Sequence, residues 1–145
     1  MPTDDITSNI PPETGRHSHD VLWVFDPDGK APTFAYTVGL GARFGRSYEL
    51  ALTGLPAEMA CAVLNNAAES LVTGDASPAD GMVLDDVLIG YTARLRPVGD
   101  ASALTGIRAE FGGDVPVWQV LWPDRRGAFP EEPGYDGRLA PQPLM

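Results

Sequence analysis

The segment His17-Ser18-His19-Asp20 holds both histidines of the chain, two residues apart. On an extended backbone alternate side chains point the same way, so both imidazoles can reach one ion, with Asp20, Glu49 or Asp124 as a carboxylate third ligand. No other histidine completes such a centre, and Cys61 is the single cysteine, so no metal is assigned and neither a Cys-based zinc site nor an internal disulfide is available. The competing reading of His19 is a strand-leading residue whose ring bonds a nearby backbone or carboxylate group.

Glu49 stands among the apolar strand residues Leu50, Ala51 and Leu52. Burial there raises a carboxyl pKa and suits it to proton transfer or to pairing with an arginine; a solvent-facing edge position is compatible with the same pattern. Tyr36-Thr37-Val38-Gly39-Leu40 ends a strand at a glycine, which permits close approach of backbone to a ligand or a tight bend. Gln119 can bond a strand neighbour, Trp122 can stack on a flat ring or fill the core, and Asp124 can open a turn toward Gly127. His19, Tyr36, Thr37, Glu49, Gln119, Trp122 and Asp124 form the candidate pocket. Thr37 with Arg43, Arg46 and Ser47 is a candidate set for a phosphate, against the plainer reading of solvated loop arginines.

Positioning these residues falls to a chain of 145 residues with 16 Gly, 14 Pro and 43% hydrophobic residues. That length suits one domain, which buries roughly 68–70% of its unfolded surface. The formal net charge is -10, and from Ser47 to Ala93 there are seven acidic residues and no Lys or Arg. Such a surface repels nucleic-acid phosphates. No apolar run is long enough for a membrane span or a signal peptide, so a cytoplasmic protein is expected. Ser-His-Asp order, P-loop and dinucleotide glycine fingerprints are absent from the sequence.

Residues 1–18 show no hydrophobic period and read as an arm; residues 19–145 read as the domain, with 123–145 as an irregular wrap. Val21–Phe25 and Thr33–Val38 flank Asp26-Pro27-Asp28-Gly29, a hairpin in which Pro27 presets a turn dihedral and Gly29 accepts positive φ. Tyr48–Thr53 is a third strand. Pro56 at a first helical position, and Met59, Ala60, Val63, Leu64, Ala67 and Leu71 at three- and four-residue steps, predict a helix to Thr73, with Asn65 and Asn66 beside its apolar stripe. Cys61 reads as a small helix residue. Met82–Leu84 and Val87–Leu95 read as strands with a bulge or bend at Gly90, Asp100 or Ser102 can cap a second helix to Phe111, and Val115–Trp122 is the last strand. The expected class is α+β: a small antiparallel β-barrel-like sheet with two packed helices.

His19, Phe34-Ala35-Tyr36-Thr37-Val38-Gly39-Leu40, Glu49-Leu50, Gly54-Leu55 and Gln119-Val120-Leu121-Trp122-Pro123-Asp124, followed by Gly127-Ala128-Phe129-Pro130, resemble a bacterial family known as domain of unknown function 4262. The family pattern has Gly-Trp after the histidine, Pro before Glu-Leu and Trp after Phe-Pro; here those places hold Asp20-Val21, Tyr48 and Glu131. The resemblance implies a fold and a candidate surface, not a reaction. The order of elements is also similar to the FMN-binding split barrels, which implies FMN or a related flavin at Thr37, Arg43, Arg46 and Ser47.

Three functions are therefore expected to compete. The first is an accessory domain binding a small molecule or peptide at the candidate pocket. The second is a flavin-binding oxidoreductase acting as a homodimer. The third is an acidic interaction or inhibitor protein for a basic partner.

Overall fold

The computed structural model describes residues 19–40, 48–74, 76–101, 104–105, 115–138 and 141–145. Asp26 organises the first hairpin: its carboxylate accepts the amides of Asp28 (3.0 Å), Lys30 (3.1 Å) and Ala31 (3.0 Å). Gly29 follows at φ +69° and donates its amide to the Asp26 carbonyl at 2.9 Å. The amide of Asp28, foremost, holds the Asp26 carboxyl below the ordinary aspartate value. This turn joins β1 (Asp20–Val24) to β2 (Phe34–Val38), antiparallel, with Asp20 opposite Val38 and Val24 opposite Phe34.

β3 (Glu49–Thr53) runs antiparallel to β2, and every one of its residues is buried. α1 (Ala57–Thr73) follows; Pro56, the predicted first helical residue, is its extended N-cap, so the helix starts one position later than predicted, with Glu58 in its first turn. An acidic residue there suits the positive end of the helix dipole. β4 (Val83–Leu88), β5 (Tyr91–Pro97) and β6 (Val117–Leu121) complete a six-stranded sheet in the order β1-β2-β3-β6-β5-β4. Gly90, at φ +81°, lies in the turn between β4 and β5 rather than inside a strand.

α1 packs across one face, reaching from β1 to β4. Its Ala60, Val63, Leu64, Ala67 and Leu71 meet Ala35, Leu50, Leu52, Leu84, Leu95 and Val120 from the sheet. The opposite face gathers Tyr36, Ala51, Leu104 and Val117, with Met145 packed against them. Over the middle of the sheet both faces are thus covered, as the apolar run of β3 requires.

Two expectations change, and a third lies largely outside the described residues. The sheet is α+β but open: β1 and β4 are its edges, and α1 rather than strand closure seals the apolar face. It is mixed rather than antiparallel, because the chain leaves β3 through α1, β4 and β5 and returns at β6 in the same direction, pairing Glu49 with Val117 and Ala51 with Gln119. One helix, α1, is present among the described residues. Of the predicted second one, residues 102–103 and 106–111 lie outside them, and so do the arm 1–18 and the loop residues 41–47.

Candidate functional site

β2 and β3 part at the end of the sheet that holds Val38 and Glu49. There the Glu49 carboxylate, fully buried, accepts the Thr37 hydroxyl at 2.6 Å, the Gly39 amide at 3.1 Å and the Leu40 amide at 3.2 Å. The Thr37 oxygen in turn accepts the Leu50 amide at 2.9 Å. Gly39, at φ +101°, turns the two successive amides onto the carboxylate. The glycine therefore serves a bend whose ligand is the protein's own Glu49.

This geometry bears on the phosphate set. Arg43, Arg46 and Ser47 lie outside the described residues, and Thr37, the remaining member, already donates its hydroxyl to Glu49. An anion placed there would also meet a carboxylate where it needs donors.

His19 precedes β1 at the same end of the sheet. Its Nε2 lies 2.7 Å from Oδ1 of Asn65 on α1, and Nδ2 of Asn65 donates to Sγ of Cys61 at 3.5 Å, one helical turn back. With the carboxamide turned this way, the imidazole donates from Nε2. Asn65 and Asn66, which the helical pattern sets beside the apolar stripe, are buried, because α1 is covered on more than that stripe. The chain His19–Asn65–Cys61 leads into a cleft of about 390 Å³ between β1 and α1, lined by Val21, Trp23, Ala57, Glu58 and Cys61. The Trp23 indole N–H donates to the Leu55 carbonyl at 3.0 Å, which fixes that wall.

The remaining candidates stand elsewhere. Tyr36 belongs to the core of the other face and stacks on Phe34, with ring centroids 6.3 Å apart. Gln119 is fully buried; its amide donates to the Pro143 carbonyl at 2.9 Å and its oxygen accepts the Met145 amide at 2.9 Å. Trp122 donates its indole N–H to the Thr53 carbonyl at 2.9 Å, and its own backbone exchanges two bonds with the Gln142 carboxamide. Gln119 and Trp122 therefore strap residues 141–145 to the sheet. Gly54 permits the close approach: at φ +91° it runs so near the Pro141 carbonyl that a Cβ would overlap it.

Asp124 accepts the amides of Arg126 (2.9 Å), Ala128 (2.9 Å) and Asp136 (3.0 Å). Burial pushes its carboxyl up, but those three amides and the charge of Arg126 outweigh it, so the net shift is downward. It organises its own loop, as the turn reading has it. A second cleft, of about 440 Å³, lies beside the β4–β5 turn and is lined by Asp85, Leu88, Gly90, Tyr91, Thr92, Pro123 and Gly127. Neither cleft is lined by a member of the predicted pocket. Among the described residues no three His, Cys, Asp or Glu side chains come together as metal ligands, and no helix is long and apolar enough to cross a membrane.

The profile of the family described as domain of unknown function 4262 matches residues 13–136, from ahead of His19 to the Asp124 loop. The chain belongs to that family. Within this domain of unknown function the matched span contains the Glu49 cradle, the His19–Asn65–Cys61 chain and both clefts, and ends before the strap at 141–145. No curated protein and no solved structure matches the chain.

Sequence reasoning overlooked Asn65, Trp23, Glu58 and Cys61 as parts of one site. A usable signal was the carboxamide at Asn65, one turn beyond Cys61 and next to Leu64 at the border of the apolar stripe. A polar group at the border of an apolar stripe needs a partner once neighbouring elements cover it.

Proposed function

We propose that this domain binds a small molecule or peptide, without covalent chemistry, in the cleft between β1 and α1. The observation that carries the reading is the makeup of that cleft: an apolar wall of Val21, Trp23 and Ala57 beside the Glu58 carboxylate and the Cys61 thiol. Concave, mostly apolar surfaces with a few fixed polar groups are the usual form of ligand sites. The polar members of the sequence-derived pocket support this relocation, since Glu49, Gln119 and Asp124 are engaged with their own backbone. They hold the fold, and the cleft is where a partner finds surface.

The test is a titration of the isotope-labelled chain with a library of aromatic and aliphatic fragments, read by amide shifts. Perturbations concentrated at Val21, Trp23, Ala57, Glu58 and Cys61 are expected. Binders that perturb only the cleft at Tyr91 and Thr92, or a library with no binder, would overturn the reading.

A further inference from the structure

The two edges of the sheet differ in kind. β4 is blunted: four residue steps from Leu84 to Leu88 face two from Ala93 to Tyr91, and the interruption carries the exposed Asp85 and Asp86. Bulges and charges of this sort keep sheet edges from pairing with other chains. β1 has no such device. It runs in unbroken register against β2, contains no proline, and has one charge, Asp20, at its first position. Among the described residues no strand pairs its outer side. Leu22 within it is 40% exposed, and Phe25 just beyond it is 56% exposed.

We propose that the outer edge of β1 takes an extended peptide as an additional strand, with apolar side chains at alternate positions entering the β1–α1 cleft and a Lys or Arg reaching Glu58 or Asp20. The inference rests on the cleft being the binding site and names its occupant. The geometry fits because Val21 and Trp23 are alternate residues turned toward α1, and a strand laid beside β1 presents its own alternate residues to that side. Charge selects the partner. Asp20 and Glu58 are exposed at this edge, on a chain of net charge -10, so a cationic segment is attracted and a second copy of the chain is repelled.

Four synthetic probes decide the matter on the full chain: a short peptide of alternating Thr and Val with Lys at both ends, the same peptide with Glu ends, and two Lys-ended versions N-methylated at one or the other set of alternate amides. The Lys-ended peptide is expected to slow exchange of the β1 amides that point away from β2 and to shift Val21, Trp23 and Cys61. N-methylation of the β1-facing set is expected to weaken binding at least about tenfold, since main-chain bonds carry strand addition. Glu58→Gln is expected to shrink the preference for Lys over Glu ends by about threefold, as for an exposed ion pair.

Equal binding of both N-methylated versions and the parent overturns strand addition and leaves the cleft reading standing. Absence of binding by every peptide, while fragments still perturb the cleft, has the same meaning; absence of both removes both readings. Protection, before any peptide is added, of the β1 amides that point away from β2 overturns the peptide as occupant. Sedimentation then assigns the edge to a second copy if the chain is dimeric, or to the chain's own residues 1–18 if it is monomeric.

Discussion

The Thr37 hydroxyl donates to the Glu49 carboxylate at 2.6 Å while its oxygen accepts the Leu50 amide at 2.9 Å, so one side chain replaces a ladder bond where β2 and β3 separate. The acid for which the sequence leaves proton transfer, an arginine partner or an edge position open fastens the end of β2 to β3. Replacing it tests this directly. Glu49→Gln retains one acceptor oxygen but loses the charge that strengthens the bonds from Gly39 and Leu40, and should cost about 1.5–3 kcal/mol. In urea denaturation the midpoint should fall with an unchanged slope; an unaltered midpoint would remove the fastening role.

Thr37→Val keeps the shape and leaves both Glu49 and the Leu50 amide short of a partner. A loss of about 1–3 kcal/mol is expected, the cost of buried polar groups left unmade.

Asp124 makes stability depend on pH. Its native carboxyl lies below its ordinary value, so the protonated form is favoured more in the unfolded chain. The stabilisation is complete above the unfolded aspartate value of about 3.9 and is lost as pH falls through the lower native one. Thermal melts from pH 6 to pH 2.5 should show wild type and Asp124→Asn converging at the acidic end. A gap that stays constant across the range would be the contrary result.

Gly29 and Gly54 separate two causes of glycine preference. Both have positive φ, but a Cβ at Gly29 meets nothing within 4 Å, whereas at Gly54 it strikes the Pro141 carbonyl and comes to 3.1 Å from the Trp122 ring. Gly29→Ala should cost about 1–2 kcal/mol for the left-handed backbone alone. Gly54→Ala should cost clearly more and should also loosen residues 141–145, visible as faster amide exchange at Met145. Equal costs would show that the strap yields freely.

His19 and Asn65 should couple. In a double-mutant cycle of His19→Ala and Asn65→Ala, an interaction of about 0.5–3 kcal/mol is expected for residues that share one buried hydrogen bond. Strictly additive losses would mean that the 2.7 Å contact contributes nothing on its own.

Local signals in the chain were sufficient for the elements. Pro27 and Gly29 with the Asp26 carboxylate specify the hairpin through nearest-neighbour geometry, and the apolar steps from Ala60 to Leu71 specify α1. Such information lies within a few residues, so it survives without knowledge of the fold. Only the tertiary structure decided which elements adjoin. That β6 lies parallel to β3, that β1 and β4 remain edges, and that Asn65 faces His19 across 46 positions are long-range outcomes of covering both sheet faces at once. The same cause redistributed the candidate site. A polar side chain is a ligand or a fastening according to what surrounds it, and the surroundings of Glu49, Gln119 and Asp124 come from turns, a strap and a loop that converge only when the sheet is built.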